Sequence, residues 1–187
     1  MRRLYLPIVF VIGLLLVLGC AGSRKMSGPC PDWFNSPPTD PEHIYAVATA
    51  TSSQLQLALN KAKAESRTEL AAQIETRVLA LIKQFDAETG NPADANVNTL
   101  YEQALKQVVS QTLTGSRVAK QTSAKEGEVW RACMLMEVPT GEANAALLNQ
   151  AKRAEELYTR FRASQSFQEM EQEVEKYEQY KKEQQGL

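Results

Sequence analysis

The chain has 187 residues, a formal net charge of −1 and 43% hydrophobic residues, enough to build one ordinary core. Lysine and arginine are interspersed with acidic residues, and aromatic residues make up only 7% of the chain. A nucleic-acid-binding surface needs a basic patch or a platform of stacking aromatic rings, so this composition excludes that class of partner.

The N-terminus has the organisation of a bacterial lipoprotein signal peptide. Two arginines precede an apolar run over residues 4–18, which is shorter than the ~20 residues that a membrane-spanning helix needs. The run ends at Val17-Leu18-Gly19-Cys20, which resembles the lipobox cut by the lipoprotein signal peptidase. We therefore expect cleavage between Gly19 and Cys20, with removal of residues 1–19. The alternative is an uncleaved signal anchor with an incidental cysteine.

The resemblance to a lipobox implies a lipidated N-terminus. Cys20 would carry a diacylglyceryl thioether and a further acyl chain on its amino group, and two or more chains anchor a protein durably. Ala21 stands where an aspartate would favour the inner membrane, so we expect the outer membrane, facing the periplasm. Residues 20–30 are predicted to be this lipidated end and a flexible tether, whose nine residues 21–29 would extend about 15–18 Å.

Two other cysteines remain in the mature chain, Cys30 and Cys133. In an oxidising compartment an even pair suggests a disulfide, but a single spacing permits no geometric check. The alternative is two unpaired thiols. Neither residue has a cysteine or histidine at metal-ligand spacing, so we expect no metal site.

Folded structure is expected to begin at Pro31-Asp32-Trp33-Phe34, ahead of a proline-rich turn. The two aromatic residues either pin this segment to the core or form an exposed contact for a partner or membrane. Residues 44–51 alternate strand-forming side chains and predict a strand. A long helix should follow, with a capping box from Ser53 to Gln56 and an end near Gly90. Its predicted buried stripe is Leu55, Leu59, Ala62, Ser66, Leu70, Ile74, Val78, Leu81 and Phe85.

A second helix is predicted from about Val97 to Leu113, and a β-hairpin over residues 117–138. After Thr140-Gly141-Glu142 the pattern predicts helix, broken near Ser164, with a capping box from Ser166 to Glu169. The last helix is either solvated or half of a helix–helix contact. We expect its narrow apolar stripe to be the surface for a protein partner or another copy: Phe167, Met170, Val174 and Tyr177.

No pattern in the sequence predicts catalysis. The single histidine, His43, lies in a turn, and there is no phosphate-binding loop, dinucleotide-binding glycine motif or nucleophile elbow. We expect a protein that is not an enzyme and that needs no cofactor beyond the lipid on Cys20.

Three segments resemble the Lpp-twenty lipoprotein family: Pro31-Asp32-Trp33, Tyr45-Ala46-Val47-Ala48-Thr49-Ala50, and the alanine-rich helix from Ala62 to Ala71. The resemblance covers roughly residues 31 to 139. It implies a β-α-β-β core in which a three-stranded antiparallel sheet wraps around the long helix, as in dodecin-like folds. Members are mostly envelope or surface proteins, some tied to flagellar outer-membrane structures, and many have no assigned activity.

The sequence therefore predicts an α+β fold, with a β-α-α-β-β order, a small three-stranded antiparallel sheet and a C-terminal helical extension. The predicted regions are a signal peptide (1–19), a lipidated tether (20–30), an α+β domain (31–139) and a helical extension (140–187). We expect a non-catalytic outer-membrane lipoprotein with a structural or adaptor role, flagellar or other surface assemblies being one setting. The alternative is a periplasmic ligand- or peptidoglycan-binding module, and an enzyme is a third option.

Overall fold

The computed structural model describes residues 29–90 and 93–186. Gly19 and Cys20, the predicted cleavage and lipidation positions, lie outside the described residues. The α+β class and the β-α-α-β-β order are confirmed. The elements are α1 (Asp32–Asn35), β1 (His43–Ser52), α2 (Leu55–Thr89), α3 (Ala95–Thr114), β2 (Arg117–Glu126), β3 (Val129–Pro139), α4 (Thr140–Arg153), α5 (Glu155–Phe161) and α6 (Gln165–Gln184).

The sheet is antiparallel in the order β1-β3-β2, so β3 is its central strand. This position suits β3 because it is the most apolar of the three strands. Its inner face, with Met134 and Met136, packs against α2. Its outer face is buried as well, since Cys133 and Leu135 are 1% and 0% exposed.

Helix α2 is the longest element, 35 residues and about 52 Å at 1.5 Å per residue. Small side chains at Ala58, Ala62 and Ser66 let its first half approach the sheet closely. The predicted capping box is wrong, because the residue before the helix is Gln54, which makes no side-chain cap. The helix ends at Gly90, whose φ of 67° is the left-handed conformation that favours glycine.

The buried stripe of α2 is shifted at both ends relative to the prediction. Ala58 and Ile82 are buried, whereas Leu59 and Leu81 are only partly buried. The stripe otherwise follows the predicted helical spacing through Leu70 and Val78. The shift follows from the packing partner, since the start of α2 lies on the sheet and its end lies among other helices.

A cluster of five aromatic rings covers the second half of α2. Phe85 of α2 lies 5.3 Å from both Phe161 and Phe167, measured between ring centroids, and Phe161 stacks on Tyr101. Tyr158 packs edge-on against Phe167. Helices α3, α5 and α6 thus bury the part of α2 that extends past the sheet.

A polar contact joins three helices beside this cluster. The carboxylate of Asp86 accepts a hydrogen bond from the hydroxyl of Tyr101, at 2.7 and 2.8 Å to its two oxygens. It also pairs with Arg160, whose Nε lies 2.7 Å from Oδ1. Burial, and next the bond to Asp86, raise the pKa of Tyr101. The hydroxyl therefore remains a donor, and α2, α3 and α5 are held in one arrangement.

The helical extension is part of the same core as the α+β domain. Strand β3 continues into α4 without a linker, and the backbone N–H of Thr140 donates to the carbonyl of Glu42 at 2.7 Å. One continuous cluster of buried hydrophobic residues contains members of α2, β3, α4, α5 and α6. The predicted boundary after residue 139 thus separates two segments of the chain but not two cores.

The start of α6 differs from the predicted capping box. The break at Ser164 is present, and the Oγ of Ser164 accepts the N–H of Phe167 at 3.1 Å. Ser164 is therefore the capping residue, two positions before the Ser166 of the prediction. A further break at Ala154, between α4 and α5, was not predicted.

Candidate functional site

The structure joins Cys30 and Cys133, which are separated by 103 positions in the sequence, in a disulfide with the Cα atoms 5.9 Å apart. Both residues are buried, at 3% and 1% exposure. Of the two alternatives left open by the sequence, the structure has the disulfide. The bridge lies on the outer face of the sheet, away from α2, and the hydroxyl of Thr49 lies beside it at 3.9 Å from the sulfur of Cys133.

The short helix α1 lies against the same outer face of β3. Trp33 and Phe34 are each half-buried, and their rings meet edge to face with centroids 6.3 Å apart. The arrangement combines the two interpretations of these residues, because part of each ring is covered and part faces solvent. The disulfide and α1 together hold residues 30–35 on the sheet. The end of the predicted tether is thus fixed to the central strand.

A cleft opens beside the start of β1. Its volume is about 410 Å³, and it lies between the proline-rich turn, the first residues of β1 and the middle of α2. Its lining mixes apolar and polar side chains: Pro37, Pro38, Thr39, Asp40, Pro41, His43, Ile44, Tyr45, Gln73, Arg77 and Thr140.

Asp40 organises one wall of this cleft. Its Oδ1 accepts the backbone N–H groups of Glu42 and His43 at 2.9 and 2.8 Å, and its Oδ2 accepts the Tyr45 hydroxyl at 2.7 Å. The Tyr45 hydrogen bond, the largest cause, holds the pKa of Asp40 below its usual value, and the same bond raises the pKa of Tyr45 to about 12. Both oxygens of the carboxylate therefore accept hydrogen bonds that stabilise the turn.

The imidazole of His43 is also part of this turn, with its Nδ1 3.3 Å from Oδ1 of Asp40. This contact accounts for the position of the imidazole in the turn. Among residues 29–90 and 93–186 no group of three or more histidine, cysteine or acidic side chains could hold a metal ion.

Arg77 brings a positive charge to the lining of the cleft. Its Nε is buried and has no hydrogen-bond partner among the described residues. A buried donor without an acceptor costs about 1–3 kcal/mol. Sequence reasoning missed this site, because Arg77 approaches Tyr45 only after α2 folds back along β1. The Asp40–His43 spacing of an Asp-capped turn was its one local signal.

The predicted partner surface on α6 is wrong. Phe167, Met170 and Val174 are 0%, 3% and 7% exposed and face the interior of the same chain. The ring of Tyr177 lies on Gly141, and its hydroxyl donates to Oε1 of Glu142 at 3.0 Å. The stripe is apolar because it packs against α2 and α4 of the same chain, and it does not form an exposed surface for another protein.

Comparison with known proteins agrees with the resemblance found in the sequence. The profile of the family described as LPP20 lipoprotein matches residues 31–137, more than half of the chain. No curated protein matches the chain. Within the described part of the chain, no helix is both long and apolar enough to cross a membrane.

Proposed function

Because the chain belongs to the LPP20 lipoprotein family, we propose that it is a non-catalytic lipoprotein of the outer membrane with a structural or adaptor role in the envelope. The lipid on Cys20 holds it at the membrane, and the folded part faces the periplasm. The family supports the lipoprotein class, and the lipobox at Val17-Leu18-Gly19-Cys20 supports the point of attachment.

The disulfide is the observation that carries the adaptor role. Cys30 follows Cys20 by ten positions, and its partner Cys133 lies in the strand that is hydrogen-bonded on both sides. A force on the lipid anchor is therefore transmitted to the central strand of the sheet rather than to a loosely held N-terminal segment. A protein that links the membrane to another component needs this property, and a freely diffusing enzyme does not.

Metabolic labelling with palmitate tests the anchor. A Cys20→Ser precursor should lose the label and keep its signal peptide, because the peptidase requires the modified cysteine. A Cys30→Ser/Cys133→Ser variant is the matched control and should be labelled and processed normally. Normal labelling of the Cys20→Ser chain would contradict the proposed lipid attachment at Cys20.

Density-gradient separation of the inner and outer membranes tests the proposed localisation. The wild-type protein should sediment with the outer membrane, and Ala21→Asp should move it to the inner membrane. A wild-type protein found in the inner membrane would contradict the proposed localisation.

A second candidate function is a ligand- or peptidoglycan-binding module, favoured by Arg77, the one lysine or arginine among the residues that line the cleft. The single cation and the proline walls suit one carboxylate, such as those on the peptide stems of the cell wall. A muropeptide should raise the melting temperature of the wild-type protein by binding the folded state. Arg77→Lys keeps the charge but lacks the two parallel N–H donors of the guanidinium, so it should abolish this rise in melting temperature. An unchanged rise in the variant would contradict this candidate function.

A further inference from the structure

The two edges of the sheet differ in how they are protected. Strand β2 carries Arg117, Lys120 and Lys125, is largely exposed, and has a register shift between Val118 and Lys120. Charges and irregularities of this kind prevent an edge strand from pairing with another chain. This edge is therefore closed to a further strand.

Strand β1 has none of these protections. Its ten residues pair with β3 in unbroken register from His43 to Ser52, and they include no proline, lysine, arginine or acidic residue. No strand among the described residues pairs with its other side, where the N–H of the first residue, His43, donates to Oδ1 of Asp40. A long, regular and uncharged edge offers a row of unpaired backbone donors and acceptors to a matching strand.

We propose that β1 is a pairing surface for a second copy of this chain. The two β1 strands would lie antiparallel about a two-fold axis perpendicular to the sheet, giving one continuous six-stranded sheet. With the axis at the middle of the strand, Val47 meets Val47 of the second copy. A pair of β-branched residues directly opposite each other stabilises such a junction.

The position of the disulfide favours a second copy over an unrelated peptide. A two-fold axis perpendicular to the sheet keeps both outer faces on the same side. Cys30 is clamped on the outer face of each copy, so both lipid anchors leave the dimer toward one membrane. This step rests on the proposed anchoring, whereas the strand pairing itself does not.

The flank of α2 beside β1 carries charges of both signs that the two-fold axis brings together. Lys61, Glu65 and Glu69 are exposed at spacings of four residues, so they form one row along the helix. The row continues to Gln73, which lines the cleft beside the start of β1. From the rise per residue of helix and strand, the middle of β1 lies beside about residue 65 of α2.

The two-fold axis reverses this row in the second copy. Lys61 of one copy then comes beside Glu69 of the other, twice in the dimer, while Glu65 at the axis faces Glu65 of the second copy. Leu57 begins the row and is 43% exposed. In the dimer it comes beside Gln73 of the second copy, which reduces its exposure to solvent.

Sedimentation equilibrium of the lipidated, full-length mature protein in density-matched detergent tests the pairing. The wild-type protein should have the mass of a dimer. Val47→Lys places two lysines opposite each other and should give a monomer. Gln121→Lys adds the same charge to the exposed strand β2 and should leave the dimer intact. A wild-type monomer, or a Val47→Lys dimer, would overturn the proposal.

Charge exchange on α2 keeps the test decisive if Val47→Lys does not fold, which circular dichroism would reveal. Lys61→Glu and Glu69→Lys, both on the exposed helix surface, should each weaken the dimer, and the double variant should restore it. An unaltered dimer in both single variants would contradict the two-fold arrangement. Because palmitate labelling reports the anchor and sedimentation reports the pairing, each can fail without the other.

Discussion

At the scale of single residues, Gly141 is required by the ring that lies on it. A Cβ atom at this position would stand 2.5 Å from two ring carbons of Tyr177. The ring is held there because its hydroxyl donates to Glu142, and Lys181 donates to the same carboxylate oxygen at 2.8 Å. The end of α6 is therefore fastened to the start of α4.

We expect Gly141→Ala to lower the free energy of unfolding by about 1–3 kcal/mol, since the ring must move to admit the methyl group. Urea denaturation measures this loss. In a Tyr177→Ala background the same substitution should cost little, because the obstructing ring is absent. An equal loss in both backgrounds would show that another contact is responsible.

Glu88 makes the stability of the α2–α6 junction depend on pH. Its carboxylate accepts the Ser164 hydroxyl at 2.6 Å, the Ser166 backbone N–H at 2.9 Å and the Ser166 hydroxyl. These hydrogen bonds, that of Ser164 foremost, lower the pKa of Glu88 from 4.5 to about 2. A depressed pKa in the folded state means that the contribution is complete above pH 4.5 and is lost as the pH falls toward 2.

Comparing urea midpoints at neutral pH and at about pH 3 tests this contribution. Glu88→Gln should destabilise the protein at neutral pH and should lose less than the wild type on acidification. Identical acid sensitivity in the two proteins would show that other carboxylates dominate.

At the scale of elements, α2 needs two different partners because it is longer than the sheet. A ten-residue strand such as β1 extends roughly 33 Å at about 3.3 Å per residue, against about 52 Å for α2. The remainder of its apolar stripe, which includes Ile82 and Phe85, is covered by the helices that follow. The C-terminal helices therefore complete the domain to which α2 belongs.

Removing residues 165–187 should destabilise the whole protein. The deletion exposes Phe85 and discards Phe167, Met170 and Val174, each worth about 1.5–3 kcal/mol when buried. The sum approaches the stability of an ordinary domain, so cooperative unfolding should be lost in thermal denaturation. A chain that ends at Gln184 is the control and should unfold normally. A stable truncated protein would show that α6 is an independent appendage after all.

At the scale of the whole molecule, the disulfide closes a loop that runs from the residue before α1 to the middle of β3. With Cys30 and Cys133 separated by 103 positions in the sequence, the chain-entropy contribution is about 4–5 kcal/mol. A reductant should therefore lower the urea midpoint of the wild-type protein markedly. The Cys30→Ser/Cys133→Ser variant should start at the lower midpoint and not respond to the reductant. A wild-type midpoint that is insensitive to complete reduction would contradict this contribution.

The order and type of the main elements were predictable because each has a local signal. Alternation predicted β1, the helical stripe predicted α2, and Gly90 marked its end. The errors fall where a neighbour decides the outcome. Ser164 rather than Ser166 caps α6, and the hydroxyls of both serines donate to Glu88 of α2, which lies 76 and 78 positions away in the sequence.

The cleft was not predictable for the same reason. Its walls come from the proline-rich turn, β1, α2 and Thr140, which are distant in sequence. The Asp-capped turn at Asp40 has a local pattern, whereas the burial of the Arg77 Nε arises only from assembly.

The sequence by itself determined the lipoprotein family, the α+β class and the periodicity of each element, because these depend on the identity and spacing of neighbouring residues. Only the tertiary structure decided which helices and strands pack against each apolar stripe. The stripe on α6 has the pattern of a partner surface, yet it is buried against α2 and α4. Periodicity shows that a helix has an apolar side, but the occupant of that side is set by elements far along the chain.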